Sequence, residues 1–376
     1  MKTNLILVNQ VTGPLFIDMA NYYSQHYSKV VLLTGNIEPT GQVLNPKIEV
    51  RLLKKYNRNN PIQRIFTWLY FSLQTYFFFK NTNIKAKVLL VSNPPFVPLL
   101  AAYLQKNTQL QFYVLIYDIY PDLLIKTGYL KASSFISKWW AKKNTEAFGV
   151  AEKLFTITDG MEKVLSKYSP KKWCVVYPWV DTAFIKPIPK QENPFVKKYN
   201  LEGKIVIQYS GNMGKSHDLL SLLEAAKELG DASEFVFLLI GDGAQKDHLE
   251  AYAKTHELMN VIFLPFQDKA SFPYSITAAD IGVVSLTDEA SEMAIPSKTF
   301  YQMAAGNAIL AITNESSELA TIIKNHKCGF VVEPVNPNKL IELLRSLNKE
   351  SLINKQTNSS LAITKYDMQN VLKFDL

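Results

Sequence analysis

With 376 residues and a hydrophobic content of 47%, the chain suits two cores rather than one, and its 20% of charged residues excludes a disordered or fibrous class. Its two cysteines, Cys174 and Cys328, lack metal-ligand spacing, which excludes a disulfide framework and points to a reducing compartment. The net charge of +8 conceals an asymmetry: residues 1–190 carry 24 Lys and Arg against 10 Asp and Glu, whereas residues 191–376 carry 17 against 23.

In chain order, apolar runs at 5–8, 30–33, 88–91, 112–116, 154–157 and 175–177 predict buried strands, with helical spacing between most of them. The first run is too short for a signal peptide, so a cytoplasmic location is expected. Between Glu49 and Asp118 there are nine basic residues and no acidic one, a one-sided field that favours an anionic partner. Within this stretch RIFTWLYFSLQTYFFFK, from Arg64, is too short and too polar to span a bilayer. It reads either as a buried helix or as a helix whose aromatic face, with Trp68 and Phe71, touches a membrane interface. Trp139 and Trp140, followed by Lys142 and Lys143, extend that surface. The acid-free surroundings favour peripheral attachment to anionic membrane, and no nucleic-acid partner is expected.

Proline-rich residues 178–193 interrupt both periodicities and mark a linker. The pattern then restarts, with strands expected at 205–209, 235–240, 261–264, 281–284, 309–312 and 330–332. A helix is expected over 216–229, where Leu219, Leu222, Leu223, Ala226 and Leu229 form one stripe and Ser216 stands at the N-cap position. Two successive βα series predict two α/β domains with parallel sheets, and ligands of such sheets bind outside strand C-termini.

Three segments offer chemistry at those positions. Gly211-Asn212-Met213-Gly214, followed by Lys215 and His217, places glycines and a lysine between a strand and a helix, as phosphate sites do and as an ordinary βα turn also does. A nucleotide-triphosphate loop is absent, because its first glycine would stand at Tyr209. Gly241-Asp242-Gly243 ends another strand in a tight turn. Pro296 opens a helix whose first turn would present the N–H groups of Ser297, Lys298 and Thr299 to an anion, with Lys298 adding a full charge. The chain has no Asp-x-Asp motif and no His/Cys cluster, so neither metal nor cofactor is expected.

The chain resembles the retaining GT-B glycosyltransferases of family 4, particularly bacterial enzymes of O-antigen and capsule synthesis. The resemblance is carried by YSGNMGKSHDLLSLLEAA from Tyr209, LIGDG from Leu239, AADIGVV from Ala278 and IPSKTFYQMAAGNAIL from Ile295. In the first half it is carried by YDIYPDLLIKTG from Tyr117, TITDGMEKVL from Thr156 and VYPWVDTAFIKP from Val176. It implies an α/β chain of GT-B architecture, two Rossmann-like domains facing a central cleft. An acceptor domain over 1–185, a nucleotide-sugar domain over 195–360 and a last helix over 361–376 packing back on the first domain follow from it. Donor contacts would come from Gly211, Asn212, Gly214, Lys215, Gly241, Asp242, Gly243, Pro296, Ser297, Lys298 and Thr299.

One departure from the family pattern matters. Two glutamates, the second a ribose ligand, are usual where this chain has Met293 and Tyr301. Glu292, with Glu289 beside it, and the Tyr301 hydroxyl are the available replacements. Asp118, just after the 112–116 strand, is the expected catalytic carboxylate beside Lys298, and Asp122 is a second acceptor-side candidate. The resulting expectation is transfer of a sugar, UDP-linked, to a polyprenyl-diphosphate-linked glycan at the inner face of the bacterial cytoplasmic membrane. Its rivals are a nucleotide-sugar epimerase of the same fold and a non-catalytic partner subunit.

Overall fold

The structure, a computed structural model, describes residues 4–38, 43–57, 60–81, 86–106, 110–126, 128–169, 171–230, 234–286 and 295–376. It divides into two units, Met1–Pro178 with Gln369–Leu376, and Trp179–Met368.

In the first unit β1 (Asn4–Val8), a short β2 (Val11–Thr12), α1 (Pro14–His26), β3 (Val30–Thr34), a short β4 (Asn36–Ile37) and β5 (Glu49–Leu52) precede the long helix α2 (Pro61–Asn81). Then follow β6 (Ala86–Val91), α3 (Val97–Gln105), β7 (Gln111–Ile116), α4 (Asp122–Lys126), α5 (Phe135–Val150), β8 (Leu154–Thr156), α6 (Asp159–Leu165) and β9 (Trp173–Val175). Seven of these strands form one parallel sheet in the order β5-β3-β1-β6-β7-β8-β9. Helices cover both faces of a parallel sheet, which is why β1, β6 and β7 read as unbroken apolar runs: Leu7, Leu89 and Val114 are fully buried. The edge strand β5 escaped sequence reading because its residues, EVRL, are half-buried or exposed and carry no apolar run. The last strand lies at Trp173–Val175 rather than 175–177.

The second unit begins with α7 (Pro194–Lys198), β10 (Ile205–Asn212), α8 (Leu220–Leu229), β11 (Phe235–Asp242), α9 (Lys246–Thr255), β12 (Val261–Leu264) and α10 (Phe272–Ile276). It continues through β13 (Ile281–Ser285), α11 (Lys298–Ala304), β14 (Ala308–Ile312), α12 (Glu318–His326), β15 (Gly329–Val332), α13 (Pro337–Arg345) and α14 (Lys349–Ala362). Its six parallel strands run in the order β12-β11-β10-β13-β14-β15, with β10 at the point where the order reverses. The stripe expected on α8 is buried, but the helix starts at Leu220, so Ser216 does not cap it. Asp218 serves there instead, accepting the Ser221 N–H at 3.2 Å and the Ser221 hydroxyl at 2.7 Å.

The proline-rich segment is not a free spacer. The boundary falls after Pro178, and the residues that follow pack on the second unit: Ile185 is buried, and the Lys190 ammonium pairs with Asp280 and donates to the Lys204 carbonyl at 2.8 Å. Residues 361–376 are not one helix either. The chain leaves α14 at Ala362, makes two 3-10 turns, Ile363–Tyr366 and Met368–Lys373, and only Gln369–Leu376 lies with the first unit.

Asp280 Oδ2 also accepts the Val206 N–H at 2.7 Å, so one carboxylate holds both the linker and the start of β10. Removing a partly buried, charge-assisted acceptor costs about 1 to 3 kcal/mol. Asp280→Ala is therefore expected to lower the free energy of unfolding in urea by that amount while leaving the far-ultraviolet dichroism of the folded protein unchanged.

Candidate functional site

The C-terminal ends of β10 and β11 lie side by side, Gly211 against Gly241 and Asn212 against Asp242. Gly211 and Asn212 are thus part of a strand, not the turn after it, because the ladder holds three residues longer than the apolar run that marks it. Both glycines are required by space and by dihedral angle. Gly241 has φ +140°, and a Cβ there would lie 2.0 Å from the Gly211 carbonyl oxygen. Gly211 has φ +147°, and its Cβ would lie 2.9 Å from the Lys298 Nζ. Next to them the Asn212 side chain lies between Gly214 and Gly243, where added Cβ atoms would stand 2.9 Å from its Nδ2 and 2.7 Å from its Oδ1.

Lys298 reaches into this strand end from α11. Its ammonium donates to the Tyr209 hydroxyl at 2.8 Å and sits 4.0 Å from the centre of the Tyr209 ring. The Tyr209 hydroxyl in turn donates to the Asn212 carbonyl at 2.5 Å. Burial lowers the Lys298 pKa from its ordinary 10.5 to about 8, and burial raises that of Tyr209. His217 stands 5.9 Å from the Tyr209 ring and donates from Nδ1 to the Ser285 carbonyl at 2.6 Å, which fixes the tautomer and leaves Nε2 as an acceptor. Burial, then the Lys298 charge, lowers the His217 pKa. One end of the second sheet therefore combines a half-buried ammonium, a phenol, an imidazole and two glycines whose missing side chains let these groups and the strand ends pack closely.

Several expected contacts fall elsewhere. Lys215 and Asp242 are exposed, and Asp242 Oδ1 accepts the Gly243 N–H at 2.7 Å. The helix after Pro296 starts only at Lys298, and the Thr299 N–H bonds the Pro296 carbonyl at 3.0 Å, so that amide is not offered to an anion. Cationic character at this point rests on the Lys298 side chain. The exposed Ser297 hydroxyl makes no cap bond, and the buried Thr299 Oγ1 has no hydrogen-bond partner among the described residues. Tyr301 is half-buried, edge-on to Phe272 at 5.8 Å. Glu292 lies outside the described residues.

In the first unit Asp118 follows β7 and is exposed, its backbone N–H bonded to the Ser92 hydroxyl at 3.2 Å. With Tyr56, Trp68, Ser92, Asn93 and Tyr120 it lines a recess of about 180 Å³. Trp68, in that wall, has a buried indole nitrogen without an acceptor among the described residues. Asp122 has partners of its own: its two oxygens take the Lys167 ammonium and the Tyr168 hydroxyl, which ties α4 to the turn after α6.

Tyr209 was legible in the sequence only as the residue that rules out a phosphate-loop motif. A phenol inside an apolar strand gives no signal of its own that a lysine 89 residues later will meet it.

Two parallel α/β units with glycines at the strand ends are the architecture of the GT-B class of glycosyltransferases, and the comparisons place the chain with that class. Residues 190–363 match the family model "Glycosyl transferases group 1". The chain is 24% identical over 313 residues to the probable glycosyltransferase WbjE of Pseudomonas aeruginosa, covering 81% of this chain and 77% of that one. It is 28% identical over 176 residues to the putative colanic acid biosynthesis glycosyl transferase WcaI of Escherichia coli K12, covering 46% and 42%. Among solved structures, WaaG, a glycosyltransferase involved in lipopolysaccharide biosynthesis, superposes with a TM-score of 0.69 at 15% identity over 98% of each chain. HepE of Anabaena, in complex with UDP-glucose, superposes at 0.68 with 12% identity over 98% and 97%. The protein is a glycosyltransferase with the GT-B fold.

The depressed Lys298 pKa has a signed consequence for stability. The unfolded chain holds the lysine proton up to its ordinary pKa of 10.5, while the folded chain releases it near 8, so the cost of burying the charge is present below pH 8 and relieved as pH rises between those values. The stability of the wild type relative to Lys298→Met, followed by urea unfolding at a series of pH values, is expected to rise across that window. A flat difference would show that Lys298 is solvated.

Proposed function

We propose that the protein transfers a hexose from a nucleotide diphosphate-sugar, UDP-linked, to a polyprenyl-diphosphate-linked glycan in surface-polysaccharide synthesis, with retention at the anomeric carbon. The observation that carries the reading is the Lys298 ammonium laid against Gly211 by the Tyr209 hydroxyl, a positive charge at the C-terminal end of a central strand. The names of WbjE, WcaI and WaaG, and the UDP-glucose bound by HepE, support the direction.

The chemistry asks little of side chains. The bond from the anomeric carbon to the diphosphate oxygen breaks, and the acceptor hydroxyl attacks on the same face and gives its proton to the departing oxygen. Lys298 meets the negative charge that develops there, its effect strengthened by burial. Asp118, exposed beside its recess, orients the acceptor hydroxyl, and Tyr301 takes the place of the usual ribose-binding glutamate. No metal is needed on this reading. A lipid-linked acceptor places the enzyme at the inner face of the cytoplasmic membrane as a peripheral protein; no helix among the described residues is long and apolar enough to cross a membrane.

Lys298→Ala is expected to weaken UDP binding by about 1 to 3 kcal/mol in calorimetric titration, the range for a charge-assisted hydrogen bond. Unchanged affinity would sink the donor site. Asp118→Asn should lower kcat by roughly 10²-fold or more while UDP affinity is kept, and full activity would leave Asp118 without a role in transfer.

A further inference from the structure

The helix Pro61–Asn81 is built inside out. Ile62, Phe66, Leu69, Tyr70, Leu73 and Phe77 are 81%, 58%, 53%, 46%, 50% and 47% exposed. At 100° per residue they fall within about 100° of the helix circumference. The opposite, buried face holds Trp68, Phe71 and Phe79 but also Thr67, Ser72 and Thr75, whose hydroxyls need partners inside the protein. Trp68 and Phe71, the residues expected from the sequence to touch a membrane, are thus core, and the apolar surface is the other side of the same helix. That side is about 22 Å long from Ile62 to Phe77 at 1.5 Å per residue.

A second exposed apolar face opens at the start of α5, where Phe135, Ile136 and Trp139 are 82%, 54% and 44% exposed, with Lys138 and Lys142 beside them. The two helices are tied to one locality by an aromatic cluster. Trp68 and Trp140 both pack on Tyr120, at 5.2 and 5.8 Å, and both meet Phe96. Trp68, on the buried face of α2, also lines the recess that holds Asp118, so the helix that carries the apolar face on its outer side walls the candidate acceptor site with its inner one.

We propose that these faces of α2 and α5 insert into the interface of an anionic lipid bilayer. The inference rests on the lipid-linked acceptor proposed above and assigns the surface that meets its membrane. Charge decides the occupant. Lys54 sits 5.9 and 5.8 Å from the rings of Phe66 and Tyr70, and Lys80 follows at the helix end. No acid occurs between Glu49 and Asp118, and the one acid on α5, Glu146, is paired with Lys143 at 2.6 Å. A second copy docking on the same patch would bring these cations against each other, whereas anionic headgroups complement them and the apolar residues enter the acyl boundary.

The test is sedimentation of the full chain with phosphatidylcholine vesicles, with and without about one third phosphatidylglycerol. The wild type should pellet with the anionic vesicles, less strongly as salt rises. The triple variant Leu69→Ser, Leu73→Ser, Phe77→Ser should bind at least about tenfold more weakly with its thermal unfolding and UDP affinity unchanged, because exposed side chains contribute little to the core. The surface is overturned if the wild type stays in the supernatant at low salt, or if the triple variant pellets as well as the wild type. It is also overturned if ultracentrifugation shows a dimer that the triple variant converts to a monomer. Vesicle binding by a protein that fails to bind UDP supports the surface while sinking the donor site, so the two readings fail separately.

Discussion

A buried ammonium needs an oxygen, and in the second unit that need fixes the geometry around it. Lys298 finds the Tyr209 hydroxyl at 2.8 Å, and the hydroxyl is held by the Asn212 carbonyl at 2.5 Å. For the lysine to lie there, residue 211 must lack a side chain, and for β10 and β11 to end in register, residue 241 must lack one too. Gly282 then follows from the same packing: a Cβ on it would lie 2.4 Å from the Gln302 side chain, so its absence lets α11 settle on β13 and deliver Lys298 to the strand end. A charge placed by such a chain of contacts is preorganised, already half-buried and fixed in place before any anion arrives.

The first unit distributes polarity differently. Its sheet is buried on both faces, yet its longest helix turns hydroxyls inward and aromatics outward. Thr75 bonds the Phe71 carbonyl at 2.9 Å and Thr67 that of Arg64 at 2.9 Å, so two of these inward hydroxyls are satisfied within the helix, while the buried Ser72 Oγ has no partner among the described residues. The outward face has no such internal explanation.

How much of this was legible in the sequence depended on where periodicity was the only signal required. Central strands such as β1, β7, β13 and β14 are covered on both faces and are visible as apolar runs. The edge strand β5 is not, since half its residues face water. Strand ends were read short at Gly211 and Gly241 because glycine signals a turn, although here the ladder continues through it. Of the candidate site, Lys298 and the glycines were visible as residue types at strand and helix ends. The Tyr209 contact was not, because it joins residues 89 apart, and neither were the Lys167 and Tyr168 partners of Asp122, which lie 45 and 46 residues away. On α2 the composition announced an interface, but helical phase decided which side it was, and apolar residues on both sides hid the phase.

The return of residues 369–376 to the first unit makes the second unit an insertion within the first. The Tyr23 hydroxyl donates to the Phe374 carbonyl at 2.6 Å, Lys87 to the Leu376 carbonyl at 2.6 Å, and the Phe374 ring packs on Phe155 at 4.9 Å. During synthesis these residues leave the ribosome after every residue of the second unit. The first unit therefore completes its packing only after the whole of the second has been made.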